Sequence, residues 1–130
     1  MRRQTIQTRE APAAIGPYSQ AVLVEGGRTL YVSGQIPLDP ASGAIVGTGD
    51  VRAQTEQVLA NLAAILGAAG MGFGDIVKAG IFLADLADFG VVNELYGARF
   101  VADLPARATI QVAGLPRGVL VEIDAIAVGK

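Results

Sequence analysis

From Pro105 to Val128 the chain alternates apolar and polar residues with a period of two, and only a sheet with one buried face satisfies such a pattern over this length. In the first run Arg107, Thr109 and Gln111 share one parity, and Ala108, Ile110 and Val112 share the other. In the second run Glu122 and Asp124 stand opposite in parity to Val121, Ile123, Ala125 and Ala127. The intervening Ala113-Gly114-Leu115-Pro116-Arg117-Gly118 has turn composition, so the stretch predicts a β-hairpin. A register that matches polar face to polar face would bring Arg107 and Thr109 beside Glu122 and Asp124. Such a patch reads in two ways. It is a cross-strand ion pair worth about 0.2–1 kcal/mol, or it is a site where a planar guanidinium grips a carboxylate and a glutamate holds water against a reactive carbon.

The 130 residues suffice for one domain with a real core, so one site is expected over 1–130. Hydrophobic residues make up 52% and charged residues 17%, and the mean hydropathy of +0.46 is high for a domain that must cover itself with polar surface. Asn61 and repeated glycines interrupt the richest apolar run before it reaches membrane-span length. The surplus apolar area therefore predicts a subunit interface.

Cysteine and histidine are both absent. That removes thiol nucleophiles, disulfides, Ser-His and Cys-His pairs and the usual zinc or copper ligand sets. Acid–base work falls to carboxylates, Tyr, Lys, backbone or bound water, which suits an intrinsically reactive substrate. The formal net charge is −2 and the ten basic residues are scattered, so the chain offers no electrostatic footprint for nucleic acid. Met1-Arg2-Arg3-Gln4-Thr5 turns polar at once and does not read as a signal peptide, which predicts a cytoplasmic address.

Along the chain, Arg3 to Thr8 predicts a short strand, followed by a loop through Pro12, Gly16 and Pro17 from which Tyr18 and Ser19 emerge. Gln20–Val24 and Thr29–Ser33, turning at Gly26-Gly27, predict a second hairpin. Gly34 closes that run beside Ser33, a place where backbone comes close to a ligand or is merely bent. Asp50 is a good N-cap for a helix with Val51, Thr55, Val58, Leu62, Ile65, Leu66 and Ala69 on one face and a stop at Gly70. Ile76–Leu83 predicts a strand, and its Lys78 reads as an exposed or edge-facing lysine. A second helix spans about Asp85 or Asp88 to Phe100, with Phe89, Val92, Leu95, Tyr96 and Phe100 on its apolar stripe. Asn93 sits beside that stripe and, being a poor helix former, calls for hydrogen-bond partners in a nearby loop. The order of elements predicts an α+β fold with two helices on one face of a mixed sheet, the other face being covered by neighbouring subunits.

Four segments stand together: Ala14-Ile15-Gly16-Pro17-Tyr18-Ser19-Gln20, Ser33-Gly34-Gln35-Ile36-Pro37, Asn93 to Tyr96, and Pro105-Ala106-Arg107 with Val121-Glu122-Ile123. In this order, and over nearly the whole chain, they resemble the reactive-intermediate imine/enamine deaminase family, also called RidA or YjgF-like. The resemblance implies a chorismate-mutase-like protomer, a homotrimer with a central β-barrel, and sites in the clefts between neighbours. It implies hydrolysis of 2-imino and enamine acids such as 2-aminoacrylate and 2-iminobutyrate to 2-keto acids and ammonia, with no cofactor and no metal. Carried over residue by residue, Arg107 clamps the substrate carboxylate and Glu122 holds the water. Tyr18 and Ser33 line the pocket, Gly34 and the backbone of Ala108 and Thr109 supply contacts, and Asn93 braces a loop.

Two features depart from the family pattern. Thr109 stands where many members have Cys, and the segment between Phe100 and Pro105 is short. A second function remains open at the level of sequence: a non-catalytic regulatory trimer that senses 2-keto acids through the same clamp.

Overall fold

The structure is a computed structural model and describes residues 1–130. Its strands are β1 (Arg2–Ile6), β2 (Ala21–Glu25), β3 (Arg28–Gln35), β4 (Ile76–Leu83), β5 (Ala106–Gln111) and β6 (Val121–Gly129), and its helices are α1 (Val51–Ala68) and α2 (Phe89–Gly97). β3, β6, β4 and β5 form one sheet in that order. β3–β6 and β6–β4 are antiparallel and β4–β5 is parallel, while β1 and β2 form a separate antiparallel ribbon.

The helices follow the sequence signals closely. Asp50 caps α1 by accepting from the Ala53 amide at 3.2 Å, and the chain leaves the helix through Gly70 at φ 72°. The spacing of Val58, Leu59, Leu62 and Leu66 puts one stripe of α1 on the sheet, where each is at most 1% exposed. Val92 and Tyr96 of α2 join them over Ala79, Ile81, Leu83, Val121, Ile123 and Ala125 in one cluster of 16 buried residues. A two-helix layer on one face of a mixed sheet is thus confirmed. No helix is long and apolar enough to cross a membrane.

Both expected hairpins are corrected. β5 and β6 are not neighbours, because β4 lies between them. β4, α2 and β5 form a strand–helix–strand unit, which supplies the long connection that parallel strands require. β6 carries Val121, Ile123, Ala125, Ala127 and Val128, all buried. So apolar a strand takes a central place, leaving the edge to β5 with its exposed Ala108 and Ile110.

At Gly26-Gly27 the chain turns at φ 75° and 84°, yet β2 pairs with β1 and β3 pairs with β6. The ribbon is held elsewhere. Arg3 donates from Nη1 to Gly74 O at 2.6 Å and from Nη2 to Asp103 O, and Ser19 forms a parallel bridge to Ala106 beside β5.

Candidate functional site

Register decides which residues can meet. Arg107 lies opposite Ala79 and Thr109 opposite Ile81, and the same two β4 residues pair with Ala125 and Ile123 on their other side. Ala79, Ile81, Ile123 and Ala125 are core residues beneath the helices, so Arg107 and Thr109 point to the helix side. Glu122 and Asp124 pair with Phe82 and Gly80, on the opposite parity and hence the opposite face. The expected meeting of Arg107 with Glu122 across a hairpin does not occur within one protomer. The polar parity of β5 enters the helix layer while the polar parity of β6 leaves it.

On the helix side Arg107 sits in a box of side chains. Asn93, one turn after Phe89 on α2, accepts from Arg107 Nη1 at 2.7 Å. The guanidinium carbon stands 5.4 Å from the ring centroid of Tyr18, 5.8 Å from that of Phe89 and 5.3 Å from that of Tyr96, distances at which a cation is attracted to an aromatic face. Phe89, Asn93 and Tyr96 follow i, i+4, i+7 spacing, which puts all three on one stripe of α2. Tyr18 arrives from the other wall because the Ser19 amide donates to Pro105 O at 2.9 Å and the Ser19 hydroxyl donates to Leu104 O. Pro17 then lies over Gly97, where an added Cβ would come within 3.2 Å of the proline ring. Gly16 lies against the same group, its Cβ position in ordinary contact distance of the Tyr18 ring at 3.5 Å and of Arg107 Nη2 at 3.7 Å.

The electrostatics follow from burial. Desolvation depresses the Arg107 pKa from its ordinary value, an effect partly countered by Tyr96 and Tyr18. Burial pushes the Tyr96 phenol well above the usual tyrosine range, with Arg107 opposing. Arginine is too strong a base to lose its proton even so, and the raised Tyr96 phenol stays neutral beside it. The three ion pairs of the chain, Arg2–Glu25, Arg52–Glu94 and Arg99–Glu56, all leave Arg107 out. A half-buried guanidinium without a carboxylate partner is costly, and here it faces a cleft of about 360 Å³ lined also by Ile15 and Thr109. The Thr109 hydroxyl is buried without a hydrogen-bond partner. Such a cleft offers an anion the guanidinium edge that Asn93 leaves free.

The remaining sequence candidates lie on the other face. Gly34 is packed by Glu122: a Cβ on Gly34 would fall 2.8 Å from Glu122 Cδ and closer still to its Oε2. Ser33 beside it is exposed, and Ala108 shares a row with Gly80 and Asp124. Tyr18, Asn93, Arg107 and Thr109 thus form one group, and Gly34 with Glu122 forms another. Asn93 braces Arg107 itself, where a loop was expected. Phe89 and Tyr96 were read only as core stripe; their i−4 and i+3 positions around Asn93 are the signal that ties them to the cleft. Lys78 is exposed, as expected.

A family model described as endoribonuclease L-PSP matches residues 8–129. The chain belongs to the YjgF/RidA family. Among this family's curated members, the 2-iminobutanoate/2-iminopropanoate deaminase of Mus musculus is 57% identical over 97% of this chain and 91% of its own length. Among solved RidA-type structures, RidA from the Antarctic bacterium Psychrobacter is 48% identical, covers 97% of this chain and 99% of that one, and superposes with a TM-score of 0.75. TdcF of E. coli, solved with bound serine, is 45% identical with a TM-score of 0.74, over 98% of this chain and 99% of that one.

Proposed function

We propose that this chain, acting as one domain over residues 1–130, is a metal- and cofactor-free hydrolase of 2-imino and enamine acids, releasing 2-keto acids and ammonia. The observation that carries this reading is the Arg107 guanidinium, fixed by Asn93 and three aromatic rings, unpaired, and open to a cleft. The substrate carboxylate takes the free guanidinium edge, with the backbone of Ala108 and Thr109 supplying further contacts. A water adds to the imine carbon while Glu122 accepts its proton. The nitrogen takes up a proton, the resulting carbinolamine collapses, the C–N bond breaks and ammonia leaves, so that one water is consumed per C=N converted to C=O. An imine carbon is electrophilic already, so a chain without His or Cys needs only to hold the water in place.

Because Arg107 and Glu122 occupy opposite faces of one sheet, the reading requires Glu122 and Gly34 of a second copy to complete the cleft. A closed homotrimer whose exposed sheet faces form a central barrel meets that need. Tyr31, 77% exposed, and Ile110, 48% exposed, lie on that outer face and would be covered by it. The proposed partners are thus a small imino or keto acid and two further copies, in the cytoplasm, with no membrane and no nucleic acid. RNA cleavage, which the family model's description names, fits less well, because the chain has no His and a net charge of −2.

The separation of the two groups also favours a second reading, in which a clamp without a nearby base binds 2-keto acids as a non-catalytic regulatory trimer. One assay separates them. A pyridoxal-phosphate dehydratase acting on serine or threonine supplies the imine, semicarbazide traps it, and keto-acid formation is compared for the wild type and Arg107→Ala. Rescue by the wild type, lowered about 10²–10³-fold in the variant, supports the deaminase. An inert but folded wild type that binds 2-ketobutyrate by titration calorimetry, with the binding lost in Arg107→Ala, supports the sensor.

A further inference from the structure

Two of the large apolar side chains that this protein leaves in solvent, Ile15 at 92% exposure and Phe89 at 38%, line the Arg107 cleft. Neither is needed to hold the guanidinium by hydrogen bonding, and Ile15 sits on a loop outside the core cluster. Within one protomer the cleft encloses about 360 Å³ before a second copy completes it. The Phe89 centroid lies 5.8 Å from the guanidinium carbon, so an acid gripped by Arg107 has its C2 substituent within reach of that ring. Of the polar side chains that line the cleft, Asn93 and Arg107 are engaged with each other or with the carboxylate, and the Tyr18 hydroxyl accepts from the Ile15 amide at 3.4 Å. What remains for the side chain of the ligand is apolar.

We propose that Phe89 and Ile15 form a side-chain subsite that selects 2-imino acids carrying bulky apolar groups, branched aliphatic or phenyl, over the smallest members. This rests on the deaminase reading for its catalytic half. Covering each additional methylene between Phe89 and Ile15 raises kcat/KM by about fourfold, so the imine of leucine, with three more side-chain carbons, exceeds that of alanine by roughly sixtyfold when they are fully covered and by roughly tenfold when about half of their surface is. A small imine held at Arg107 leaves both side chains in water and gains nothing from them.

The test generates achiral 2-imino acids in situ with a D-amino-acid oxidase from D-alanine, D-leucine and D-phenylalanine, in competition with semicarbazide. The ratio of kcat/KM for the large imines to that for the alanine imine is compared among the wild type, Phe89→Ala and Ile15→Ala. In parallel, calorimetry measures the affinities for pyruvate, 4-methyl-2-oxopentanoate and phenylpyruvate. The proposal expects a wild-type ratio of at least about tenfold, falling severalfold in each variant, with keto-acid affinities in the same order. Ile15→Ala guards against a folding artefact at Phe89, because so exposed a loop residue contributes little to the core. A wild type without size preference, or a preference that both folded variants retain, overturns the subsite. Inactivity on every imine, with the keto-acid size order intact and lost in the variants, sinks the deaminase reading and leaves the subsite standing.

Discussion

Replacing Gly34 with alanine should separate turnover from stability. A Cβ at residue 34 would stand 2.8 Å from Glu122 Cδ and 3.2 Å from its Cγ, where ordinary contact begins at 3.4 Å. The backbone there needs no positive φ, and the obstructing atoms are the far end of a flexible, half-buried side chain. The glutamate therefore swings aside at little cost, and the melting temperature should change by no more than about 4 °C, the equivalent of under about 1 kcal/mol. Its carboxylate, however, must retreat by about 1 Å, a displacement that costs on the order of 10²-fold in a positioned reaction. The expected result in the semicarbazide-competition assay is a kcat about 10²-fold lower with KM within about threefold, since the Arg107 clamp is untouched. Glu122→Gln should reproduce the loss without the displacement. A Gly34→Ala protein that keeps kcat within threefold while its circular dichroism is unchanged would refute the assignment of the water to Glu122.

Other expectations follow from the same geometry. Asn93→Ala removes the only side-chain acceptor of Arg107, at 2.7 Å, and should raise KM by about tenfold, as loss of a hydrogen bond to a charged group predicts; kcat should fall less, as steady-state kinetics would show. Tyr96 has a folded-state pKa above its unfolded value of 10.0, so the stability it contributes is complete below pH 10 and is lost as pH rises beyond it. Urea melts from pH 8 to 11 should show the wild type losing about 1 kcal/mol more than Tyr96→Phe over the last unit. Identical alkaline slopes for the two proteins would show that the phenol is not held neutral.

What the sequence disclosed and what it hid have separate physical causes. α1 was legible from Asp50 to Gly70 because a helix is built from contacts three and four residues apart, and cap, stripe and stop all lie in one segment. Parity is local too, and it singled out Arg107 and Thr109 as one polar row; that the row is a site and not an ion pair came from the resemblance of four separated segments to a known family. Strand pairing is not local. The polar parity of Arg107 and Thr109 suggested the polar face of a hairpin, but their register with Ala79 and Ile81 put them under α2. The strand–helix–strand order of Ile76–Leu83, Phe89–Gly97 and Ala106–Gln111 was the available sign of parallel pairing, and the wholly buried face of β6 the available sign that it could not sit at an edge. Gly26-Gly27 likewise marked a reversal correctly without saying which strand would lie alongside.

The sheet that divides Arg107 from Glu122 has a consequence for genetics. If each site borrows its base from the next copy, two crippled proteins hold all the parts of a working one. Unfolding and refolding Arg107→Ala together with Glu122→Gln in equal amounts should create mixed rings, in which about a quarter of the clefts inherit both intact groups. Activity would then rise far above that of either parent, and two damaged alleles in one cell would mask each other. A dilute solution would tell the opposite story, since a lone subunit keeps its two essential groups on either side of a wall.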